Sequence, residues 1–522
     1  MVRRLFPSTR DGIGGATISG AMMPTSLHCA LLPEQRAAER PGDRCVADTS
    51  RDLDNAAFAE AVRRLAARLA ARGIGRGDVV AVMLPNCVEL VTTMFAAWYV
   101  GAALTPINPT LTHDEVRYQL DDSAAVLVVA DAAAREQISS VPVMAAETVF
   151  DEPGGDERSA ISELAGPSSE TDDPALIIYT SGTTGRPKGV ILDHANLLAM
   201  SNGLIEHMHL TAADRSLLVL PLFHINGLVV GVLSVLRVGG NTLIAPRFKA
   251  IEFWSHVEAY RPTYFSAVPT IYQMLDALDP EIRPDTSSLR FMVCGAAPMS
   301  AELIRRIEDR YGVPLVEGYG LSEGTVASVI NPVDGIRKPG TVGLPLPGQT
   351  VWVVDPDGRQ LPPGERGEVI ISGPNVMRGY LGRPQETADT VRDGWLYTGD
   401  IGQFDQDGYL TIVDRLKDMI IRGGENVYPK EIENVFYTHP AVQEVAVVGA
   451  PDALYGEQPV AFVSIRPGYE VTGDELIEHC RGMLAPFKMP RAVHIVPELP
   501  KNPIGKISKS ELKEWLRKAD GT

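Results

Sequence analysis

The sequence predicts an α/β protein with a β-rich region and a separate C-terminal domain, on three observations. Strand-length hydrophobic runs alternate with helix-length segments between about residues 54 and 130, and again between about 190 and 330. This is the pattern of βαβ units on a parallel sheet. Between 340 and 412, Pro and Gly break the chain into short β runs. After Val413 the composition becomes more charged, and helix and strand patterns alternate again to the end.

Taken in order, residues 54–73 form an Ala- and Arg-rich amphipathic pattern that Gly73 ends, which predicts a helix. Residues 78–84 (DVVAVML) read as a buried strand closed by Pro85, 89–100 as a helix, and 125–130 (AVLVVA) as the next strand. Residues 151–173 are acidic and rich in Gly, Pro and Ser, which marks a surface loop or a joint between subdomains. Residues 176–179 (LIIY) are a short buried strand. In the β-rich region, 350–354 and 367–371 are strands. The expected organisation is a disordered tail over 1–25, a large domain over 26–415 with its β-rich part at about 340–412, and a small C-terminal domain over 416–522.

Two segments imitate address labels. Arg3 and Arg4 are followed by no continuous apolar core, so no export signal is read there. From 216 to 236 the chain has no Asp, Glu, Lys or Arg, enough to span a bilayer. Pro221, His224, Asn226 and Gly227 interrupt it, so a buried strand, a turn and a buried helix explain it better. A cytoplasmic protein without a membrane span is expected.

Charge and cysteines exclude whole classes. The 522 residues carry a formal charge of −18, which repels phosphate backbones and argues against a nucleic-acid partner. Any phosphorylated ligand must therefore meet a local cationic or amide-lined site. The five cysteines, Cys29, Cys45, Cys87, Cys294 and Cys480, are scattered and odd in number. They suggest neither a disulfide framework nor a zinc site, and free thiols are expected.

Residues 180–189 (TSGTTGRPKG) follow the strand ending at Tyr179. Gly182, Gly185 and Gly189 let backbone amides approach an anion. Ser181, Thr183 and Thr184 add hydroxyls, and Lys188 adds charge. This is polyphosphate chemistry, yet not a Walker A loop, because Pro187 precedes the lysine and no GKS or GKT occurs. Residues 317–324 (EGYGLSEG) hold Tyr319 between glycines, able to present a flat ring to a purine, with a hydroxyl and a carboxylate at Ser322 and Glu323. Residues 294–298 read CGAAP after a strand, 397–400 read YTGD, and 413–417 read VDRLK. A carboxylate such as Asp400 accepts from two ribose hydroxyls, and Arg415 is a strong donor. Residues 422–427 (RGGENV) have two successive glycines, which permit an unusual turn. Near the end, 500–509 (PKNPIGKISK) presents Lys506 between prolines and glycine.

In this order, the motifs resemble those of the adenylate-forming superfamily, on its acyl-CoA synthetase and aryl-CoA ligase branch, over about residues 30–515. The resemblance implies a large N-terminal region of two α/β sheet subdomains plus a β-rich subdomain, with a small mobile α+β C-terminal domain. It implies ATP, Mg2+ and CoA as cofactor and co-substrates, and catalysis by Lys506, His224 and Glu323. Thr180, Ser181, Gly182, Thr183, Thr184, Gly185 and Lys188 match the phosphate-binding loop. Gly295, Ala296, Ala297, Gly318, Tyr319, Gly320 and Ser322 match the adenine and AMP site, with serine at 322 where threonine is more usual. Asp400 and Arg415 match the ribose site, Glu323 and Thr184 the metal site, and Lys417 the hinge. Arg422, Gly423, Gly424 and Glu425 match the loop that faces the CoA channel after the domain rotates. The implied reaction converts a carboxylic acid into an acyl-adenylate and then into an acyl-CoA.

His224, in PLFHING, matches a residue at the mouth of the acyl pocket. No acidic residue lies in 223–231, where amino-acid-activating relatives usually carry an Asp to pair the substrate ammonium, so the resemblance disfavours an α-amino acid. Gly318 stands where malonate-type relatives carry Arg. With Gly295, Ala296 and Ala267 small and Val268, Val293 and Val329 apolar, the expected partner is an apolar carboxylic acid: fatty, alicyclic, terpenoid or aryl. Loading of a separate carrier protein, thioesterification of a supplied adenylate alone, and a homodimer stay open.

Overall fold

The computed structural model describes residues 29–152, 154, 166–180, 186–297, 299–501 and 507–519. The expected tail at 1–25 therefore lies outside the described residues. The chain divides into two compact units. One takes the residues up to Ile205 with Leu210–Arg247 and Met377–Pro384; the other takes Glu206–His209, Phe248–Val376 and the chain from Gln385 onward.

The first unit contains a seven-stranded sheet. Its order is Gly379–Tyr380, Lys188–Asp193, Pro174–Thr180, Ala103–Pro106, Val79–Met83, Leu127–Ala130 and Val143–Ala145. The last five strands run parallel, with Val79 beside Ala103 and Leu104 beside Leu176. Every residue of Val79–Met83 is buried, which explains its unbroken apolar run. The predicted parallel sheet is correct for these strands, but the edge differs. Lys188–Asp193 returns antiparallel on Pro174–Thr180, and Gly379–Tyr380 pairs antiparallel beyond it. Only residues 181–187 join the two strands, too few for the crossover that parallel pairing needs. The sheet is consequently mixed.

A second strand set in this unit pairs Arg44–Ala47 with Asn241–Ile244 and the latter with Arg215–Leu218, all parallel. The predicted first helix is Asn55–Ala71, capped by Asp54, whose side chain accepts from the Ala57 amide. The uncharged stretch folds as the strand Arg215–Leu218, a turn, and a buried wide-turned π-helix, Gly227–Leu233, running into Ser234–Arg237. Among the described residues no helix is long and apolar enough to cross a membrane.

In the second unit, Tyr264–Ala267, Phe291–Cys294 and Leu315–Tyr319 run parallel, and Val329–Ile330 and Leu344–Pro345 continue antiparallel. Helix Ala301–Tyr311 follows the second of these strands. Ser300 caps its start, accepting from the Leu303 amide, and Gly312 in the left-handed region ends it. The β-rich stretch is an antiparallel sheet of Thr350–Val354, Gly367–Ser372, Trp395–Phe404, Val391–Arg392 and Leu410–Arg415. It closes over Val342, Val353, Val369, Ile371, Leu396 and Leu410. The C-terminal segment forms another sheet, with Val442–Asp452 and Gly456–Ile465 as a long antiparallel pair. Helices Pro429–Tyr437, Gly473–Cys480 and Lys509–Ala519 belong to this segment. All five cysteines are free, as expected.

Candidate active site

The candidate residues fall in both units. In the first, the stem of the phosphate loop is a β-hairpin, with Thr180 opposite Lys188 and Tyr179 opposite Gly189. Glycine at 189 is required by packing, since a Cβ there would lie 2.9 Å from the Ile177 Cγ2. The stem is pinned from two sides. The Tyr179 hydroxyl donates to the Asp122 carboxylate at 2.9 Å, and the Tyr118 hydroxyl donates to the Pro187 carbonyl at 2.9 Å. Arg383 donates to the Tyr118 oxygen and pairs with Asp122. The Lys188 ammonium sits 5.0 Å from the centre of the Tyr380 ring. Ser181, Gly182, Thr183, Thr184 and Gly185 lie outside the described residues.

His224 is in the same unit, half-buried on the turn before the π-helix. Its amide donates to the Pro221 carbonyl at 3.1 Å, and its ring meets that of Phe223 edge-on at 4.6 Å.

In the second unit, the residues expected at the nucleotide gather around the C-terminal ends of its parallel strands. Tyr319 ends its strand, and its hydroxyl donates to Asp400 at 2.7 Å. Asp400 is 5% exposed. Its other oxygen meets the Arg415 guanidinium at 3.1 Å, across a pair of neighbouring strands in which Asp400 and Arg415 stand opposite each other. Three sequence-distant residues thus converge at one carboxylate. Burial, then the charge of Asp400, raises the Tyr319 phenol pKa well above its ordinary value, so it stays a donor. The turn before Asp400 is fixed by Thr398, which donates to the Val369 carbonyl and accepts from the Asp400 amide, and by Glu368, which accepts from the Gly399 amide.

Gly295, Ala296 and Ala297 follow the strand Phe291–Cys294. Ala296 has φ of 67°, a left-handed conformation uncommon for alanine. The loop is anchored by the Gly295 amide on the Ala267 carbonyl and by the Met299 amide on the Glu317 carboxylate at 2.9 Å. Glu317, the first residue of EGYGLSEG, stands directly beside Cys294 in the sheet, and no local signal in the string marks it as an anchor. A Cβ at Gly318 would lie 3.0 Å from the Ile330 side chain. A Cβ at Gly320 would lie 2.2 Å from the Val326 carbonyl, so that glycine is obligatory. Of the residues expected around the acyl group, Gly295, Ala296 and Val268 are partly exposed. Ala267, Val293 and Val329 are buried, Val329 within the core of the β-rich sheet.

Ser322 and Glu323 are half-buried on a short 3-10 turn after Tyr319. Their hard oxygen donors fit Mg2+, which takes one or two carboxylates and completes its shell with phosphate oxygens and water. Among the described residues no group of three or more His, Cys, Asp or Glu could hold a metal by itself.

Lys417 is exposed on a turn between the strands Leu410–Arg415 and Ile420–Arg422. The RGGE segment is a tight hairpin: Gly423 and Gly424 have φ of 60° and 90°. A two-residue turn with both φ positive is the chief reason for paired glycines. Arg422 donates to the Pro486 and Phe487 carbonyls and lies over the Tyr455 ring, while Glu425 is exposed. Lys506 lies outside the described residues; on either side, Lys501 and Ile507 form an antiparallel bridge. Beyond it, Lys509 pairs with the buried Glu433 at 2.8 Å.

The family model for AMP-binding enzymes matches residues 33–381, and that for the AMP-binding enzyme C-terminal domain matches 431–506. A feruloyl-CoA synthase of Amycolatopsis sp. is 39% identical over 482 residues, covering 92% of this chain and 97% of the relative. The ATP-bound crystal structure of MatB from Rhodopseudomonas palustris superposes with a TM-score of 0.86 at 33% identity, covering 94% of this chain and 99% of that one. The o-succinylbenzoate CoA synthetase MenE of Bacillus subtilis, in complex with ATP and magnesium ion, gives a TM-score of 0.82 at 30% identity, covering 92% and 99%.

Proposed function

The chain belongs to the AMP-binding enzyme family, and on that footing we propose that it joins an apolar, preferentially aromatic, monocarboxylic acid to CoA. It is an AMP-forming acid–thiol ligase of the acyl/aryl-CoA branch, using ATP, Mg2+ and CoA and passing through an acyl-adenylate.

The observation that carries the site assignment is the convergence of Tyr319 and Arg415 on the buried Asp400. We assign the Tyr319 ring to adenine and the Asp400–Arg415 pair to the ribose hydroxyls. Gly295, Ala296, Ala297, Gly318, Gly320 and Ser322 frame the base and phosphate. Thr180, the hydroxyls and amides of 181–185, and Lys188 take the polyphosphate. Glu323 and Thr184 are the residues that would hold Mg2+, and the ion would neutralise phosphate charge. A carboxylate is a poor electrophile, and its attack on the α-phosphate brings anionic oxygens together. Preorganised donors and the Lys506 ammonium stabilise that approach. Pyrophosphate leaves. The segment after the Lys417 hinge then rotates, withdrawing Lys506 and bringing the Arg422–Gly423–Gly424–Glu425 turn to the thiol path. The CoA sulfur attacks the acyl carbon, and AMP leaves.

Three features support the acid class. No acidic residue in 223–231 could pair an ammonium group beside His224. Gly318 supplies no cation for a second carboxylate, and Ile330 leaves little room for a side chain there. The feruloyl-CoA synthase likeness adds weight to an aryl acid such as a hydroxycinnamate.

The test is pyrophosphate release from Mg-ATP over a panel of aryl, alicyclic and fatty acids, with and without CoA. Aryl-dependent release accelerated by CoA is expected. Preference for a fatty or alicyclic acid would sink the aryl assignment. CoA-independent turnover with loading of a carrier protein would replace CoA as acceptor. Thioester formation only from a premade adenylate would remove the first half-reaction.

A further inference from the structure

The segment after Glu323 is strained. Thr325 has φ of 59° and Val326 has φ of 107°. A β-branched residue at such a φ is an outlier, and strain of this kind persists only when the surroundings enforce it. The 3-10 turn itself contributes Gly324 and Val326 amides donating to the Leu321 carbonyl and the Thr325 amide donating to Ser322. Those bonds close the turn but do not fasten it to the framework.

Asn375 does the fastening. Its Nδ2 donates to the Gly324 carbonyl at 3.0 Å, and its backbone carbonyl accepts from the Thr325 hydroxyl at 2.5 Å. Thr325 is 0% and Asn375 1% exposed, so neither bond competes with water. Asn375 itself sits on a turn closed by the Val376 amide on the Gly373 carbonyl. Gly373 has φ of 154°, and a Cβ there would lie 2.6 Å from the Asn375 Oδ1. The turn therefore carries glycine and directs the amide at the strained segment. Because the Gly324 N–H is already given to Leu321, it is the Gly324 carbonyl that meets Asn375, so the amide nitrogen must face it. Aspartate could not replace this donor.

We propose that Asn375 is a positioning residue, which holds the strained turn at Gly324 and Thr325 and thereby fixes the position of the Glu323 carboxylate. The proposal rests on the assignment of Glu323 as a Mg2+ ligand. It adds a residue that touches neither metal nor substrate.

The readout is binding, measured by calorimetry: the ratio of ATP affinity in Mg2+ to that in EDTA. Glu323→Gln should lower that ratio. Asn375→Ala should lower it by about tenfold, the loss of one buried hydrogen bond and its stranded carbonyl. In the Glu323→Gln background, Asn375→Ala should lower it by less than about twofold, because residues acting through one another are not additive. Adenylate formation should fall with the ratio, while thioester formation from supplied acyl-adenylate falls less. Val326→Gly keeps every hydrogen bond of the turn but relieves the strain. It should fold with an unreduced thermal midpoint and an unreduced ratio, and in that relaxed background Asn375→Ala should fold and lower the ratio by only about threefold, which covers the case in which Asn375→Ala fails to fold in the parent. If Glu323→Gln leaves the ratio unchanged, the Glu323 assignment falls, and the proposal with it. If Glu323→Gln lowers the ratio but Asn375→Ala does not, in the parent or in the Val326→Gly background, or if the Glu323→Gln/Asn375→Ala variant multiplies both effects in full, the positioning role is overturned.

Discussion

Glu317 is a buried carboxyl group, 4% exposed, beside Cys294 in the sheet. One oxygen accepts from the Met299 amide, and the other has no hydrogen-bond partner among the described residues. Burial raises its pKa from 4.5 to about 7, opposed only in part by the Met299 N–H and the charge of Lys430. A carboxyl raised this way destabilises the fold when it ionises. Between about 4.5 and 7 the native state holds a proton that the unfolded chain has lost, so stability falls as pH rises through that window and levels off above it. The difference of about 2.5 pH units, at 1.36 kcal/mol each, is worth about 3 kcal/mol. Glu317→Gln keeps an oxygen for Met299 and removes the charge. Its stability relative to the parent should therefore climb by about 3 kcal/mol from pH 4.5 to 7.5 and then stay constant. Denaturant midpoints of both proteins, taken side by side every half unit from pH 4.5 to 8.5, measure that climb. A difference that does not change with pH, or one that grows toward acid, would refute the buried-charge argument. Glu317→Ala tests the other half: it frees the Met299 amide and should weaken ATP binding through the Gly295–Ala296–Ala297 loop at every pH.

The other predictions concern separate parts of the site. Tyr319→Phe removes one donor from Asp400 while keeping the ring; the KM for ATP should rise about tenfold or more, consistent with a hydrogen bond to a charged group, with little change in melting temperature. Lys506→Ala should abolish adenylate formation while largely sparing thioester formation from a premade acyl-adenylate, and equal loss of both steps in stopped-flow assays would reject that division. Lys509→Met leaves Glu433 buried without its nearest cation. Burial would raise the Glu433 pKa, but Lys509 and Lys430 hold it below its ordinary value, so the variant should lose about 3 kcal/mol of stability in denaturant titrations at neutral pH. Burial raises the thiols of Cys29 and Cys87 to about 12 and those of Cys45 and Cys480 to about 11. Cys294 is raised as well. A disulfide reagent at pH 8 should accordingly react with the native protein only slowly and with all five cysteines once it is unfolded.

The sequence carried the elements and the pairing whose signals are local strings. Helix and strand periods located Asn55–Ala71, Val79–Met83 and Thr350–Val354 to within a residue or two, because each buries a full face or a full strand. Asp400 and Arg415 were legible because YTGD and VDRLK place an acceptor and a donor near each other, and strand pairing then sets them opposite. What stayed hidden was the support. Asn375 lies fifty residues from Thr325 in a Gly-Pro-Asn turn that reads as an ordinary loop, and its value comes only from tertiary contact. Glu317 was visible as a letter in EGYGLSEG, but nothing in the string says that it faces inward to catch Met299. The mixed edge of the first sheet was hidden because buried parallel and antiparallel strands have the same apolar composition. Only the short link between Thr180 and Lys188 carried the direction. Groups that touch a ligand must be of particular types at particular spacings, so they leave motifs. Groups that hold those groups still need only one donor in the right place, and many sequences supply one. The strained Val326 belongs to the second class, and for that reason its φ, rather than its identity, exposes the constraint on Glu323.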